Sequence, residues 1–212
     1  MALKLNPLTP TQREEFRSAA KEGSPYERLV GLTLVDTGLR RDTFAHMRDY
    51  SDTKWYRPAK DPPEILIPAE DECRVGWGRR GDPTTKGDVP CTQCTARGEG
   101  CWLPKTENSE RRVWVHEEDT QQAIENWFVL NDTVSSPQKV NRAVENIRKR
   151  ADFSRHLTPH QLRQSYGSHL AQTSHTAHEI RDLMGHSSIE TSEKYVKLYG
   201  PKLKKSHAEK WE

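Results

Sequence analysis

The sequence predicts a mainly α fold with a small antiparallel β-sheet beside the helices, an α+β domain, and three observations carry that expectation. Of its 212 residues only 33% are hydrophobic while 30% are charged, a balance that suits surface-rich helices better than a large sandwich. Ser or Thr followed by Pro, with Gln or Glu two positions further on, recurs at Thr9-Pro10, Ser24-Pro25 and Thr158-Pro159. Each instance supplies an N-cap, an N1 proline and a capping-box partner. Two short runs rich in β-branched and aromatic residues, Glu64 to Pro68 and Arg112 to His116, read as strands that pair as a small sheet.

Taken in order, Thr9 opens a first helix to about Ala20, and Ser24 opens a second that carries the strongest apolar stripe, Leu29, Val30, Leu32, Leu34 and Val35. That stripe marks it as central to the core. Gly38 ends the second helix, Arg40 stands beside the turn, and a short helical run from Arg40 to Arg48 buries Phe44 and Met47. Beyond the first strand, Ala69 to Glu110 is rich in glycine, charge and cysteine and nearly devoid of large aliphatic side chains. Such a segment cannot bury a core of its own, so either it is a loop or something other than hydrophobic packing folds it. Asp119 to Leu130 and Pro137 to Arg150 read as amphipathic helices, the second opened by Ser136 without an acidic partner. After a further helix from Thr158, Gly185 closes a helix just before His186, and the tail after Gly200-Pro201 is basic and polar.

The chain fits one domain, 1–212, with the cysteine-rich stretch 69–110 as an insertion. No apolar run approaches the roughly 20 residues that cross a bilayer, and MALKLNPLTP has no signal-peptide core, so a cytoplasmic protein is expected. A net charge of +2 makes any nucleic-acid surface a local one. The four cysteines, Cys73, Cys91, Cys94 and Cys101, read as a structural zinc site rather than a disulfide framework, with His116 a possible substitute ligand and free thiols the other reading. Arg79, Arg80 and Lys86 in the same insertion could touch DNA, as could Arg41 and the basic helical positions Lys139 and Arg142.

The chemistry concentrates between Leu157 and Gly200. His160 and Arg163 lie one helical turn apart on a shared face, His186 follows the helix-ending glycine, and Tyr195 comes nine residues later. Histidine, arginine and a phenol together suit a phosphate. His175 and His178 read as surface residues.

TGLR at Thr37 to Arg40, KT at Lys105-Thr106, HQLR at His160 to Arg163, LMGHSS around His186, and Tyr195 form an ordered signature. In order and spacing it resembles the tyrosine recombinase (phage integrase) family, above all the integrase-like proteins of archaea and their viruses and plasmids, over roughly Leu8 to Gly200. The resemblance implies the DNA breaking-rejoining catalytic-domain fold. It implies that Tyr195 attacks a DNA phosphodiester to form a 3′-phosphotyrosyl link, with Arg40 and Arg163 clamping the phosphate and Lys105 protonating the leaving oxygen. His160 would assist proton transfer at the tyrosine, and His186 would donate a hydrogen bond to the phosphate. It further implies double-stranded DNA as partner, four copies acting on paired sites, and no metal or nucleotide cofactor for catalysis. Lys86 competes with Lys105 for its role and Tyr199 with Tyr195. Thr43 stands where the family usually has an acidic residue, with Asp42 one place earlier, and the family's N-terminal DNA-clamping domain is expected to be absent from this chain. Three rival readings share parts of the signature: a DNA-binding accessory protein that no longer recombines, a type IB topoisomerase-like relaxing enzyme, and a zinc-binding interaction module.

Overall fold

A computed structural model describes residues 5–49, 54–74, 89–96, 100–105, 110–134 and 136–201. The helices are α1 (Pro10–Lys21), α2 (Pro25–Thr37), α3 (Arg41–Ala45), α4 (Thr92–Ala96), α5 (Glu118–Phe128), α6 (Pro137–Arg150), α7 (Pro159–Gln172), α8 (Ala177–Met184) and α9 (Ile189–Tyr199). The strands are β1 (Tyr56–Arg57), β2 (Glu64–Ile67), β3 (Asp71–Glu72), β4 (Cys101–Trp102) and β5 (Arg111–Trp114). The fold is mainly helical with small antiparallel sheets, as the composition and capping signatures predict. Among the described residues no helix is long and apolar enough to cross a membrane.

The three expected capping boxes form, with Thr9 and Gln12 on α1, Ser24 and Glu27 on α2, and Thr158 and Gln161 on α7 each exchanging side-chain bonds with the partner's backbone. A fourth, Thr176 with Glu179, opens α8 without a proline. Ser136 makes no side-chain cap bond, in keeping with its missing acidic partner. Helix α2 is the centre of the core. Its Leu29, Val30, Leu32, Leu34 and Val35 have no solvent exposure, and α1, α5, α6 and α7 pack around it. A polar joint is buried among them: Asp36 accepts from Arg13 Nη2 at 2.6 Å and also from Arg17 and Thr120, joining α1, α2 and α5.

The three-stranded sheet runs β1-β2-β5, all antiparallel, with Ile65 opposite Val113 and Glu64 opposite Trp114. Ile65, Ile67 and Val113 face the core, the alternation of a half-buried sheet. β1, only two residues long, is too short to leave a periodic signal, and β5 starts one residue before the expected Arg112 and ends at Trp114 rather than His116. The insertion departs from expectation in one respect. It holds β3, α4 and β4, with β3 and β4 paired, and Cys73, Cys94 and Trp102 join the main core. Among the described residues of the insertion, the apolar contribution to that core comes from cysteine and tryptophan, not from aliphatic side chains.

A second, smaller apolar cluster unites Tyr166, Leu170, Ala171, Ile180, Met184 and Tyr195 from α7, α8 and α9.

Candidate active site

Six side chains from distant parts of the chain meet at one cleft of about 620 Å³: Arg40, Lys105, His160, Arg163, His186 and Tyr195. Each is delivered by a local device. Gly38 caps α2 in the left-handed region (φ 60°), and the ring of Tyr166 lies so close that an added Cβ would sit 2.4 Å from its Cδ1. Only glycine accepts both that conformation and that approach, and the turn it makes presents Arg40 as the residue before α3. Lys105 follows β4 and is exposed. His160 and Arg163 extend from the first turn of α7, and Tyr195 lies on α9.

The C-terminus of α8 organises the positive charge. Its last carbonyls and the capping glycine accept from three different arginines: Leu183 O from Arg111 Nε at 2.9 Å, Met184 O from Arg163 Nη2, and Gly185 O from Arg40 Nη2 at 2.8 Å. Arg163 also donates to Gly38 O at 2.6 Å, so it ties the ends of α2 and α8 together. The last carbonyls of a helix lack intrahelical donors and carry partial negative charge. They hold the guanidinium groups in place without neutralising them.

The titration behaviour follows. Burial, then Arg40 and Arg111, depress Arg163 well below its ordinary value. Burial and then Arg40 push Arg111 down to about 9, and burial lowers Arg40. His186 is pushed down to about 3 by burial, then by Arg163 and Arg40. His160 is lowered by burial, then by Arg163, Arg40 and Lys105. Burial raises Tyr195 to about 12, opposed by Arg163. Such a cluster resists further positive charge and is relieved by an anion.

Orientation is equally specific. Tyr195, only 4% exposed, stacks with the His186 ring at 6.1 Å and 12° between planes. His186 Nδ1 lies 2.9 Å from the buried Ser192 hydroxyl. Gln164 Oε1 accepts from the Asn6 amide at 3.0 Å, so its NH2 faces His160 Nε2 at 3.2 Å, which assigns that nitrogen as the acceptor of a neutral imidazole. Gly167 gives Tyr195 its room, since an added Cβ would sit 2.7 Å from Tyr195 Cε1. Tyr199, one turn along, is outside the residues lining the cleft.

The other expected residues fall out differently. Arg41 is exposed at the cleft rim. Arg142 is exposed and Lys139 half-buried on α6, whereas Arg148 and Arg150 of the same basic helix are engaged by Glu145 at 3.0 Å and Glu27 at 2.8 Å. Arg79, Arg80 and Lys86 lie outside the described residues. Asp42, at the cleft edge, accepts from Trp102 Nε1 at 3.1 Å. Arg111 was not legible as a site residue, because only the fold brings the start of β5 against α8.

A second cluster sits beside the cleft wall. Cys73, Cys91 and Cys94 come together, but with His46 as the fourth group and not Cys101 or the exposed His116, and their donor atoms all lie within 4.8 Å of one another. The expected ligand set is corrected by strand alternation. Cys101 stands opposite exposed Glu72 and shares its face, whereas Cys73, one residue on, turns inward to the side of buried Trp102. That set can hold one metal ion.

Residues 103–200 match the Phage integrase family. A tyrosine recombinase XerC of Neisseria gonorrhoeae (strain ATCC 700825 / FA 1090) is 35% identical over 68 residues, 32% of this chain but only 22% of that relative's length. Among solved structures, XerH site-specific recombinase bound to palindromic difH substrate is similar at a TM-score of 0.65 and 18% identity, over 98% of this chain and 54% of that one. The catalytic domain of bacteriophage HP1 integrase is similar at a TM-score of 0.54 and 14% identity, over 97% and 95% of the two chains. The fold is therefore that of tyrosine recombinase catalytic domains.

Proposed function

We propose that this chain is the catalytic domain of a tyrosine recombinase, which breaks and rejoins double-stranded DNA at specific sites through a transient 3′-phosphotyrosyl link. The observation that carries this reading is the meeting of Arg40, Lys105, His160, Arg163, His186 and Tyr195 in one cationic cleft, from segments up to 155 residues apart (195 − 40). In it, Tyr195 Oη attacks the phosphorus, the O–P bond to the 5′ oxygen breaks, and that oxygen takes a proton from Lys105. The phenolic proton leaves with help from His160, whose unprotonated Nε2 exchanges the Gln164 amide for the phenol as its donor. Arg40 and Arg163 hold the non-bridging oxygens as charge accumulates, and His186 donates from Nε2 while its Nδ1 accepts from the Ser192 hydroxyl. The arginines need no rearrangement, because the α8 carbonyls already fix them. The phosphodiester energy is kept in the covalent link, so the steps require no nucleotide or catalytic metal.

Recombination by four copies on two DNA sites, in the cytoplasm on nucleoid DNA, is part of this reading. The likeness to integrases of archaea and their viruses rests on the sequence motifs alone; the XerC relative above is bacterial. The test is incubation with a nicked DNA substrate that traps the cut strand. A covalent protein–DNA adduct is expected from the unaltered chain and from Tyr199→Phe, and none from Tyr195→Phe. Survival of the adduct in Tyr195→Phe would move the nucleophile, and DNA binding without any adduct would favour a non-recombining accessory protein.

A further inference from the structure

We infer that the chain binds one structural cation of the zinc class through the sulfurs of Cys73, Cys91 and Cys94 and His46 Nε2, and that this ion fastens the cysteine-rich insertion onto α3. The distances fit. His46 Nε2 lies 3.6 Å from Cys91 Sγ and 3.7 Å from Cys94 Sγ, and a tetrahedral zinc with ordinary sulfur and nitrogen bond lengths separates those two atoms by about 3.6 Å. The supporting shell is also built. His46 Nδ1 donates to Asp42 O at 2.8 Å, which leaves Nε2 as the nitrogen that meets the sulfurs. The backbone amide of Cys91 donates to Cys73 Sγ at 3.3 Å. Ligating histidines are oriented in this way by their second nitrogen, and ligating thiolates by backbone amides.

Three thiolates and one imidazole close a tetrahedral site with no position open to substrate, so the ion's role is structural. Its placement gives that role content. His46 is the residue that caps α3, and Arg40 is the residue that precedes it. Cys73 follows β3, Cys91 and Cys94 bracket the start of α4, and β4, paired to β3, leads into Lys105. Trp102 continues the connection by stacking on His46 at 5.8 Å. One ion thus joins the two segments that bring Arg40 and Lys105 to the cleft. The catalytic roles of those two residues rest on the reading proposed above; the ion's presence does not.

Metal analysis of the purified full chain, prepared without chelator, should return one zinc per chain. Cobalt(II) exchanged into the site should give the visible bands of a tetrahedral ion with charge transfer from three thiolates. Cys94→Ser and His46→Gln should weaken zinc binding by more than the roughly 10- to 100-fold that loss of a supporting hydrogen bond costs. His46→Cys should restore it, and Cys101→Ser should leave it unchanged. On metal removal, amide hydrogen exchange should rise at residues 41–46 and 100–105 while α7 and α9 keep their protection. A chain that purifies without zinc and takes up none on titration would overturn the site. So would loss of zinc in Cys101→Ser with retention in His46→Gln, and unchanged exchange at residues 41–46 would overturn the fastening role. None of these readings involves DNA, so their failure is separate from failure of the proposed recombinase chemistry.

Discussion

His186 is held neutral by its surroundings, and that state is measurable. Burial and the guanidinium groups of Arg163 and Arg40 push its pKa down to about 3, against about 6.5 for an unfolded histidine. Below pH 6.5 the unfolded chain takes up a proton that the folded chain refuses, so His186 lowers stability as pH falls from about 6.5 to 3 and has no such effect above that window. His186→Asn is therefore expected to lose less stability than the unaltered chain between pH 7 and pH 4, measured by chemical denaturation at each pH. The same ring should also report the anion. Sulfate in the cleft offsets the arginines, so the His186 resonance should titrate at higher pH with sulfate than without it.

At the scale of single elements, the packing of α7 against α9 sets the position of Tyr195, the nucleophile in the reading proposed above. A methyl group at Gly167 would fall 2.7 Å from Tyr195 Cε1 and 2.8 Å from Met184 Sδ. Gly167→Ala is expected to displace the phenol by a few tenths of an ångström or more, and displacements on the order of 1 Å can cost about 100-fold in rate. The loss should show in single-turnover adduct formation while the thermal midpoint moves little. The joint of α1, α2 and α5 behaves in the opposite way. Asp36→Ala leaves Arg13 and Arg17, both buried, without their central carboxylate, and breaking a buried ion pair from one side costs about 3–5 kcal/mol. Glu117 and Asp119 near Arg17, at 3.3 and 3.5 Å, offset part of that, so about 3 kcal/mol in urea unfolding is expected, with the cleft residues still in place.

For the whole molecule, the helices and the spacing of the C-terminal cleft residues were readable because their signals are local. A capping box needs four residues, the stripe of α2 needs one helix, and the spacing of His160, Arg163, His186 and Tyr195 stays within a single stretch. What was not readable depends on contacts between remote segments. Arg111 joins the arginine cluster only because the start of β5 lies against α8, and His46 joins the cysteines only because the fold brings the end of α3 to them. Neither residue has a neighbour in sequence that announces it. The second apolar cluster has a further consequence. Tyr195 does not belong to the main core around α2; it belongs to the small set of side chains shared by α7, α8 and α9. Small clusters open at lower free energy than the whole chain. Helix α9 should then detach as a unit many times within the lifetime of one folded molecule, with its amides exchanging earlier than those of α2. In the recombinase reading proposed above, a nucleophile on such a segment can be withdrawn between rounds of cutting while the rest of the protein stays on its DNA.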